Sequence, residues 1–184
     1  MTNRSDSRDH QLEPGQTVLV TGGARSGKSR FAEQMARDFQ RVVYLATAEG
    51  LDEEMRRRIE SHQSYRPPHW TTVEEPLSIL PRLSRAAQES DLVLLDCITL
   101  WISNLLCRER SDREIEGEIE GLAEWTVRQP GRLILVSNEV GAGIVPANPL
   151  SRRFRDLTGL ANQRLAASAT RVYWLVAGIP NRIK

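Results

Sequence analysis

A glycine-rich stretch near the start of the chain, TGGARSGKSR at residues 21–30, has the residue types that bind phosphate. Residues 22–29 match G-x-x-x-x-G-K-[ST] between an apolar run and a helical pattern, the context that this motif requires. Glycines let several backbone N–H groups point at one anion, and a helix that begins there adds positive potential. Lys28 is the predicted catalytic cation, since it reaches the β- and γ-phosphates, and Ser29 is a predicted Mg²⁺ ligand. The alternative is a glycine-rich turn with a surface lysine. The predicted nucleotide-binding residues of this loop are Gly22, Gly23, Ala24, Arg25, Ser26, Gly27, Lys28 and Ser29.

A second candidate metal ligand ends an apolar run. Asp96 follows four apolar residues in LVLLDC, residues 92–97. A carboxylate at the end of a buried strand can hold Mg²⁺ directly or through water. An aspartate in this position also often caps the following helix. In a chain with a phosphate loop the Mg²⁺ role is favoured, so the predicted metal ligands are Ser29 and Asp96.

Two of the three histidines lie in the segment HQSYRPPHW, residues 62–70. From the residues alone, His62 is interpreted as a helix-end residue that packs and caps the last carbonyls. Arg66 can pair with a phosphate. His69 is adjacent to Trp70 and is assigned no chemical role.

The elements that must position these residues alternate along the chain. Five runs are apolar on consecutive positions, which is typical of strands covered on both faces in a parallel sheet. Their alternation with helical patterns predicts an α/β fold, a three-layer P-loop NTPase-type domain with a mainly parallel central sheet. The predicted strands are 17–21, 41–47, 92–97, 132–138 and 171–178, and the predicted helices are 28–39, 52–63, 76–89, 98–128 (with a break near RSDR) and 151–169.

The composition is that of one globular domain, with 184 residues, 40% hydrophobic and 27% charged. A net charge of +1 gives no global field that would recruit nucleic acid or an anionic membrane. No apolar run approaches the ~20 residues of a membrane span. Residues 1–15 are predicted to be a disordered tail, and 16–184 a single domain. Because the start lacks a signal core, Cys97 and Cys107 are expected to be unpaired and the protein to be cytoplasmic.

Five segments, in order, carry a family resemblance: TGGARSGKSRFAE, RIESHQSYRPPHW, LLDCITLWISNLL, VSNEVGAGIVPANPLSRRFRDLTGLANQRLA and LVAGIPNRIK. Together they closely resemble the bifunctional adenosylcobinamide kinase/adenosylcobinamide-phosphate guanylyltransferase family of cobalamin biosynthesis. The resemblance runs from about Thr17 to Lys184. It is far more specific than the phosphate motif alone.

The resemblance implies two reactions. A nucleoside triphosphate, ATP or GTP, phosphorylates the aminopropanol hydroxyl of adenosylcobinamide, and GTP then donates GMP to the product. The GMP carrier of the family is the histidine four residues before the arginine in H-x-x-x-R-P. Here that residue is His62, with Arg66 and Pro67 completing the pattern, and position 61 is a serine. A neutral imidazole is a good nucleophile near pH 7, so the chemistry agrees with this implied role.

Other motifs follow the predicted strands. The resemblance implies that Thr47, Ala48 and Glu49 contact the nucleotide at the carboxyl edge of the sheet. Glu74 can accept hydrogen bonds from guanine N1–H and N2–H₂. The loop 138–146 is either a structural turn or a corrinoid or phosphate contact, and Trp101 is expected in the core or a subunit interface.

The resemblance further implies a small-molecule corrinoid substrate, Mg²⁺ as cofactor, and a homo-oligomer, a trimer. Two other functions compete with this one. A GTP-binding regulator is disfavoured because no N-K-x-D guanine motif occurs in the chain. Only His62 argues against a monofunctional small-molecule kinase.

Overall fold

The computed structural model describes residues 11–64 and 66–184, with the side chains of residues 58, 61 and 62 also outside the description. Its elements alternate as predicted along most of the chain. In order they are β1 (Thr17–Gly22), α1 (Lys28–Ala36), β2 (Val42–Ala46), α2 (Glu53–Ser64), β3 (Thr71–Glu74), α3 (Ile79–Glu89), β4 (Leu92–Asp96), α4 (Ile98–Cys107), α5 (Asp112–Arg128), β5 (Leu133–Val136), α6 (Pro149–Ser168), β6 (Arg171–Val176) and β7 (Ile179–Arg182).

The strands form a single sheet in the order β3-β2-β4-β5-β1-β6-β7. All neighbouring pairs are parallel except β6 and β7, which are antiparallel. Strands β1 and β5 are buried at every position, as expected of strands covered on both faces. The predicted α/β class with a mainly parallel sheet is confirmed.

Two apolar cores lie on opposite faces of this sheet. Adjacent residues of β4 enter different cores, because side chains alternate along a strand: Leu95 joins one core and Leu94 the other. Helices α3 to α6 contribute to the first core, which includes the fully buried Trp101. Helix α1 covers the second core through Phe31 and Met35. Trp101 is thus a core residue, and its indole N–H donates to the Leu77 carbonyl at 2.8 Å.

Two strands were not predicted, and both are short edge strands. Strand β3 has mostly exposed side chains, and β7 is exposed throughout and contains Pro180. Neither has the apolar run that indicates a buried strand. The predicted helix 98–128 is two helices, α4 and α5, and α5 begins with a capping box in which Ser111 and Glu114 bond each other's backbone N–H.

The start of the folded region lies earlier than residue 16. Residues 1–10, most of the predicted tail, are outside the described residues. Leu12, however, is 3% exposed and belongs to the second core. Its carbonyl accepts from Arg132 Nε at 2.7 Å, and the Gln11 carbonyl accepts from Arg171 at 2.7 Å. A single leucine in a polar stretch has no periodicity, so this packing could not be predicted from the sequence.

Both cysteines are unpaired, as predicted, with Cys97 buried and Cys107 exposed. Burial, followed by the charge of Asp96, raises the pKa of the Cys97 thiol to about 12. No helix in the described part of the chain is long and apolar enough to cross a membrane.

Candidate active site

The phosphate loop joins β1 to α1 at the carboxyl edge of the sheet. Gly27 precedes the helix with φ +93°, a conformation that glycine adopts without strain, and it has no side chain to cap α1. The first N–H groups of the helix therefore face the loop, as anion binding requires. A side chain at Gly22 would collide with the Leu175 carbonyl of β6. The backbone of the loop is thus fixed between β6 and α1.

Lys28 begins α1 and is only 7% exposed. Its ammonium donates to the Gly23 carbonyl at 2.5 Å and to the Ser26 hydroxyl at 3.4 Å, so it lies within the loop. Ser29 follows in the first turn and is half-buried. The loop residues Ala24 and Arg25 are exposed. The structure therefore brings the predicted phosphate ligands together around one ammonium group.

Asp96 ends β4, on the face of the sheet that α1 covers. Its Oδ2 accepts a 2.7 Å hydrogen bond from the hydroxyl of Tyr44 on the neighbouring strand β2. Glu33 of α1 is close by: burial, and then the charge of Asp96, raises its pKa. Its Oε1 is buried and accepts no hydrogen bond from any described residue.

These oxygen donors fit Mg²⁺, which proteins usually bind through one or two carboxylates together with substrate phosphates. Ser29 and Asp96 supply a hydroxyl and a carboxylate, and the Glu33 oxygen is an orphaned buried acceptor beside them. Within residues 11–64 and 66–184, no group of three or more His, Cys, Asp or Glu side chains could hold a metal without such phosphates.

Arg66 belongs to the same group of residues. Its guanidinium carbon lies 3.5 Å from the centroid of the Tyr44 ring, and its Nη1 donates to the Thr72 hydroxyl at 3.3 Å. Its charge lowers the pKa of Glu33, against the stronger effects of burial and Asp96. His62 lies in the last turn of α2, four residues before Arg66, but its side chain is outside the described residues.

The residues after β2 have different surroundings. Thr47 is fully buried: its hydroxyl donates to the Cys97 carbonyl at 2.7 Å and accepts from the Cys97 N–H at 2.8 Å. The Thr47 side chain therefore supports the end of β4, and the nucleotide contact predicted for this residue stays a prediction. Ala48 is half-buried, and Glu49 pairs with Arg108 at 3.0 Å.

Glu74 is exposed at the end of β3. It is level with Asp96 across the sheet, because both residues pair with Ala46 of β2. Its carboxylate therefore lies at the same edge as the phosphate loop. The guanine contact predicted for it stays a prediction.

Two neighbouring segments support the phosphate loop, and neither role was predicted. The Glu139 N–H donates to the Gly22 carbonyl at 2.9 Å, which fixes the start of the loop 138–146. The Gly178 N–H, in the turn between β6 and β7, donates to the Ser26 carbonyl at 3.1 Å. Further along the loop 138–146, Ile144 is 96% exposed. Tyr44 and Glu33 were also missed, since each lies inside an ordinary strand or helix pattern.

A mainly parallel sheet whose first strand leads through a glycine-rich loop and a buried lysine into a helix defines a P-loop NTPase-type protein. Two solved structures share this fold. A KaiC-like protein from Pyrococcus horikoshii is 17% identical, with a TM-score of 0.50, 89% of this chain covered and 72% of that one. The flagellar accessory protein FlaH from Methanocaldococcus jannaschii is 15% identical, with a TM-score of 0.55 and coverage of 100% and 86%.

Residues 18–183 match the family model described as cobinamide kinase / cobinamide phosphate guanyltransferase, and the chain belongs to that family. The bifunctional adenosylcobalamin biosynthesis protein CobP of Pseudomonas aeruginosa is 47% identical over 167 residues, covering 90% of this chain and 96% of the relative. The protein CobU of Escherichia coli K12, with the same description, is 43% identical over 179 residues, covering 91% and 99%. The resemblance seen in the sequence is thereby confirmed.

Proposed function

We propose that this protein phosphorylates adenosylcobinamide with a nucleoside triphosphate and then transfers GMP from GTP to the adenosylcobinamide phosphate. The product is adenosylcobinamide-GDP, in cobalamin biosynthesis. One observation supports a single site for both reactions. Arg66, which follows the proposed carrier histidine by four residues, packs on Tyr44, and Tyr44 bonds the proposed metal ligand Asp96.

In the kinase step, the corrinoid hydroxyl attacks the γ-phosphorus and the bond to the bridging oxygen breaks. Lys28 and the N–H groups of the loop bind the β- and γ-phosphates and stabilise the charge that develops on them. Ser29 and Asp96 would hold Mg²⁺. When bound, this ion neutralises phosphate charge and orients the phosphate oxygens.

In the second step, a ring nitrogen of His62 attacks the α-phosphorus of GTP, and pyrophosphate leaves. The resulting phosphoramidate passes GMP to a phosphate oxygen of the corrinoid phosphate, which restores the free imidazole. Arg66 pairs with a phosphate oxygen during this transfer. Ala48, Glu49 and Glu74 lie at the edge where the nucleotide binds, and Glu74 is the proposed acceptor for the guanine N–H groups.

The remaining proposals concern the substrates and the assembly of the protein. The phosphate donor is ATP or GTP, and the acceptor is the corrinoid. We propose that the chain self-associates as a trimer. Self-association itself is supported by apolar side chains exposed on β6, β7 and the residues that follow, namely Trp174, Val176, Ile179 and Ile183.

GTP labelled at the α-phosphate tests this function. We expect the wild-type protein to retain label after denaturation and to lose it in acid, since protonation makes the imidazole a good leaving group. His62→Ala should form no adduct yet keep much of its activity with γ-labelled nucleotide and adenosylcobinamide. His69→Ala is the matched control, because His69 is an exposed histidine outside the motif.

Acid-stable label, or label that persists in His62→Ala, would identify another nucleophile. A wild-type protein that phosphorylates the corrinoid without covalent label would be a monofunctional kinase. A protein that binds GTP and does neither reaction would be a regulator.

A further inference from the structure

Tyr44 makes two contacts of different chemistry through opposite parts of one side chain. Its hydroxyl donates to Asp96 Oδ2 at 2.7 Å, and the face of its ring carries the Arg66 guanidinium at 3.5 Å. The residue is 2% exposed and belongs to the second core, so both contacts are made by a buried side chain. Tyr44 therefore joins the proposed metal ligand to the segment that follows the proposed GMP carrier.

The position of Arg66 is set by two strands at once. Tyr44 and Thr72 are direct partners in the pairing of β2 with β3, and Arg66 contacts both. Its Nε is buried and has no hydrogen-bond partner among the described residues. A guanidinium stacked on an aromatic face is attracted by the ring quadrupole, most strongly where water is excluded. The ring thus holds the guanidinium of Arg66 in place. Some of the N–H groups of Arg66 remain for another acceptor.

The orientation of Asp96 is set by β2 in a similar way. Strands β2 and β4 are parallel neighbours, with Ala46 opposite Asp96, so Tyr44 approaches the carboxylate from two residues earlier on β2. A carboxylate that binds a metal usually accepts hydrogen bonds from groups around it, and these fix its rotation. The Tyr44 hydroxyl is such a group here.

We propose that Tyr44 is a positioning residue for both reactions, with two separable roles: its hydroxyl orients Asp96 toward the cation, and its ring orients Arg66 toward the phosphate of GTP. This inference rests on the proposed function. It predicts that removing the hydroxyl alone weakens only metal binding. Removing the ring as well should also slow GMP transfer.

Two substitutions at Tyr44 separate the roles. Tyr44→Phe keeps the ring and removes the hydroxyl, and Tyr44→Leu removes both. Mn²⁺ affinity is measured by calorimetry with a non-hydrolysable GTP analogue bound. Covalent labelling is followed with α-labelled GTP at saturating Mg²⁺. We expect Tyr44→Phe to bind Mn²⁺ about tenfold more weakly and to label at close to the wild-type rate. Tyr44→Leu should show the same loss of Mn²⁺ affinity and label at least about tenfold more slowly.

Thr72→Val provides a variant that leaves the core intact, since Thr72 is exposed. It removes the acceptor of the Arg66 Nη1 bond, so labelling should slow while Mn²⁺ affinity stays at the wild-type value. This variant tests the Arg66 role if Tyr44→Leu does not fold, which circular dichroism and urea unfolding report.

Wild-type Mn²⁺ affinity in Tyr44→Phe would overturn the hydroxyl role. Equal labelling by Tyr44→Phe and Tyr44→Leu would overturn the ring role. If Tyr44→Leu does not fold, wild-type labelling by Thr72→Val would overturn the role of Arg66 in GMP transfer, on which the ring role depends. A wild-type protein that forms no label would instead overturn the proposed function together with the ring role. The Mn²⁺ measurement still decides the hydroxyl role in that case.

Discussion

At the scale of single residues, the site is defined by charges held where water is scarce. Lys28 is a buried ammonium bonded to the neutral oxygens of Gly23 and Ser26. Asp96 and Glu33 are carboxylates close enough for one to raise the pKa of the other. Buried charged groups favour ligands of opposite charge, since Coulomb attraction is stronger where water is excluded. A phosphate and a divalent cation are such ligands.

Lys28→Ala should lower phosphorylation of adenosylcobinamide by about 10²–10³-fold, because it removes a fixed cation aimed at the transferred group. Far-ultraviolet circular dichroism should be that of the wild type. Arg30→Ala, two residues along α1 and exposed, is the control and should retain activity. If the turnover of Lys28→Ala stayed within a few-fold of the wild-type value, the phosphate loop would not be part of the proposed site.

Glu33→Gln should make the protein more stable at neutral pH. The folded-state pKa of Glu33 is raised, first by burial and then by Asp96, so the folded protein holds this proton more tightly than the unfolded chain. The wild type therefore loses stability as pH rises from below 4.5 through the raised pKa, and the glutamine variant lacks this loss. Urea unfolding at several pH values, without Mg²⁺, measures the difference. A difference that stays constant with pH would contradict the assignment.

At the scale of elements, the phosphate loop depends on the turn between β6 and β7. Ala177 and Gly178 both have positive φ, +51° and +83°, and the Gly178 N–H bonds the Ser26 carbonyl. The turn that leads into the antiparallel β7 thus lies against the predicted phosphate loop. This edge strand supports the site as well as extending the sheet.

Gly178→Val should weaken both folding and nucleotide binding. A branched side chain in the left-handed region costs about 1–2 kcal/mol, and relaxing that strain shifts the N–H that holds Ser26. Ala177→Gly is the control, since glycine relieves rather than creates strain at φ +51°. Calorimetric titration with GTP gives the affinities, and urea unfolding gives the stabilities. Wild-type affinity in Gly178→Val would show that the turn does not support the loop.

The strands that could be predicted are those whose sequence is a continuous apolar run. Strands β1, β2, β4, β5 and β6 are continuous apolar runs, whereas β3 is mostly exposed and β7 carries Pro180. The phosphate loop and Asp96 could be predicted because each is recognised from a short stretch of sequence. The contacts of Tyr44 could not, since they depend on β4 lying beside β2, and nothing in the sequence gives the order of strands in a sheet.

At the scale of the whole molecule, one sheet separates two cores, and each core draws on distant parts of the chain. The second core extends from Leu12 to Leu175. Arg132 and Arg171, from the loop before β5 and the start of β6, bond the backbone at Leu12 and Gln11. The described residues before β1, from residue 11 onward, therefore pack as part of the domain.

Leu12→Ala should lower the free energy of unfolding by about 2–5 kcal/mol, as expected for a buried leucine whose removal leaves a cavity. Leu51→Ala is the matched control: Leu51 is 75% exposed, and its loss should change stability by less than about 0.5 kcal/mol. Urea unfolding followed by circular dichroism compares the two. Equal stabilities would mean that the packing of Leu12 contributes nothing.

The position of β1 in the sheet also has a consequence for the order of synthesis. Strand β1 leaves the ribosome before its partners β5 and β6, and β6 begins only at Arg171. A nascent chain that ends before that residue leaves one side of β1 without a partner and lacks Gly178 beside the phosphate loop. The predicted phosphate loop is therefore synthesised well before the later segments that complete and support it.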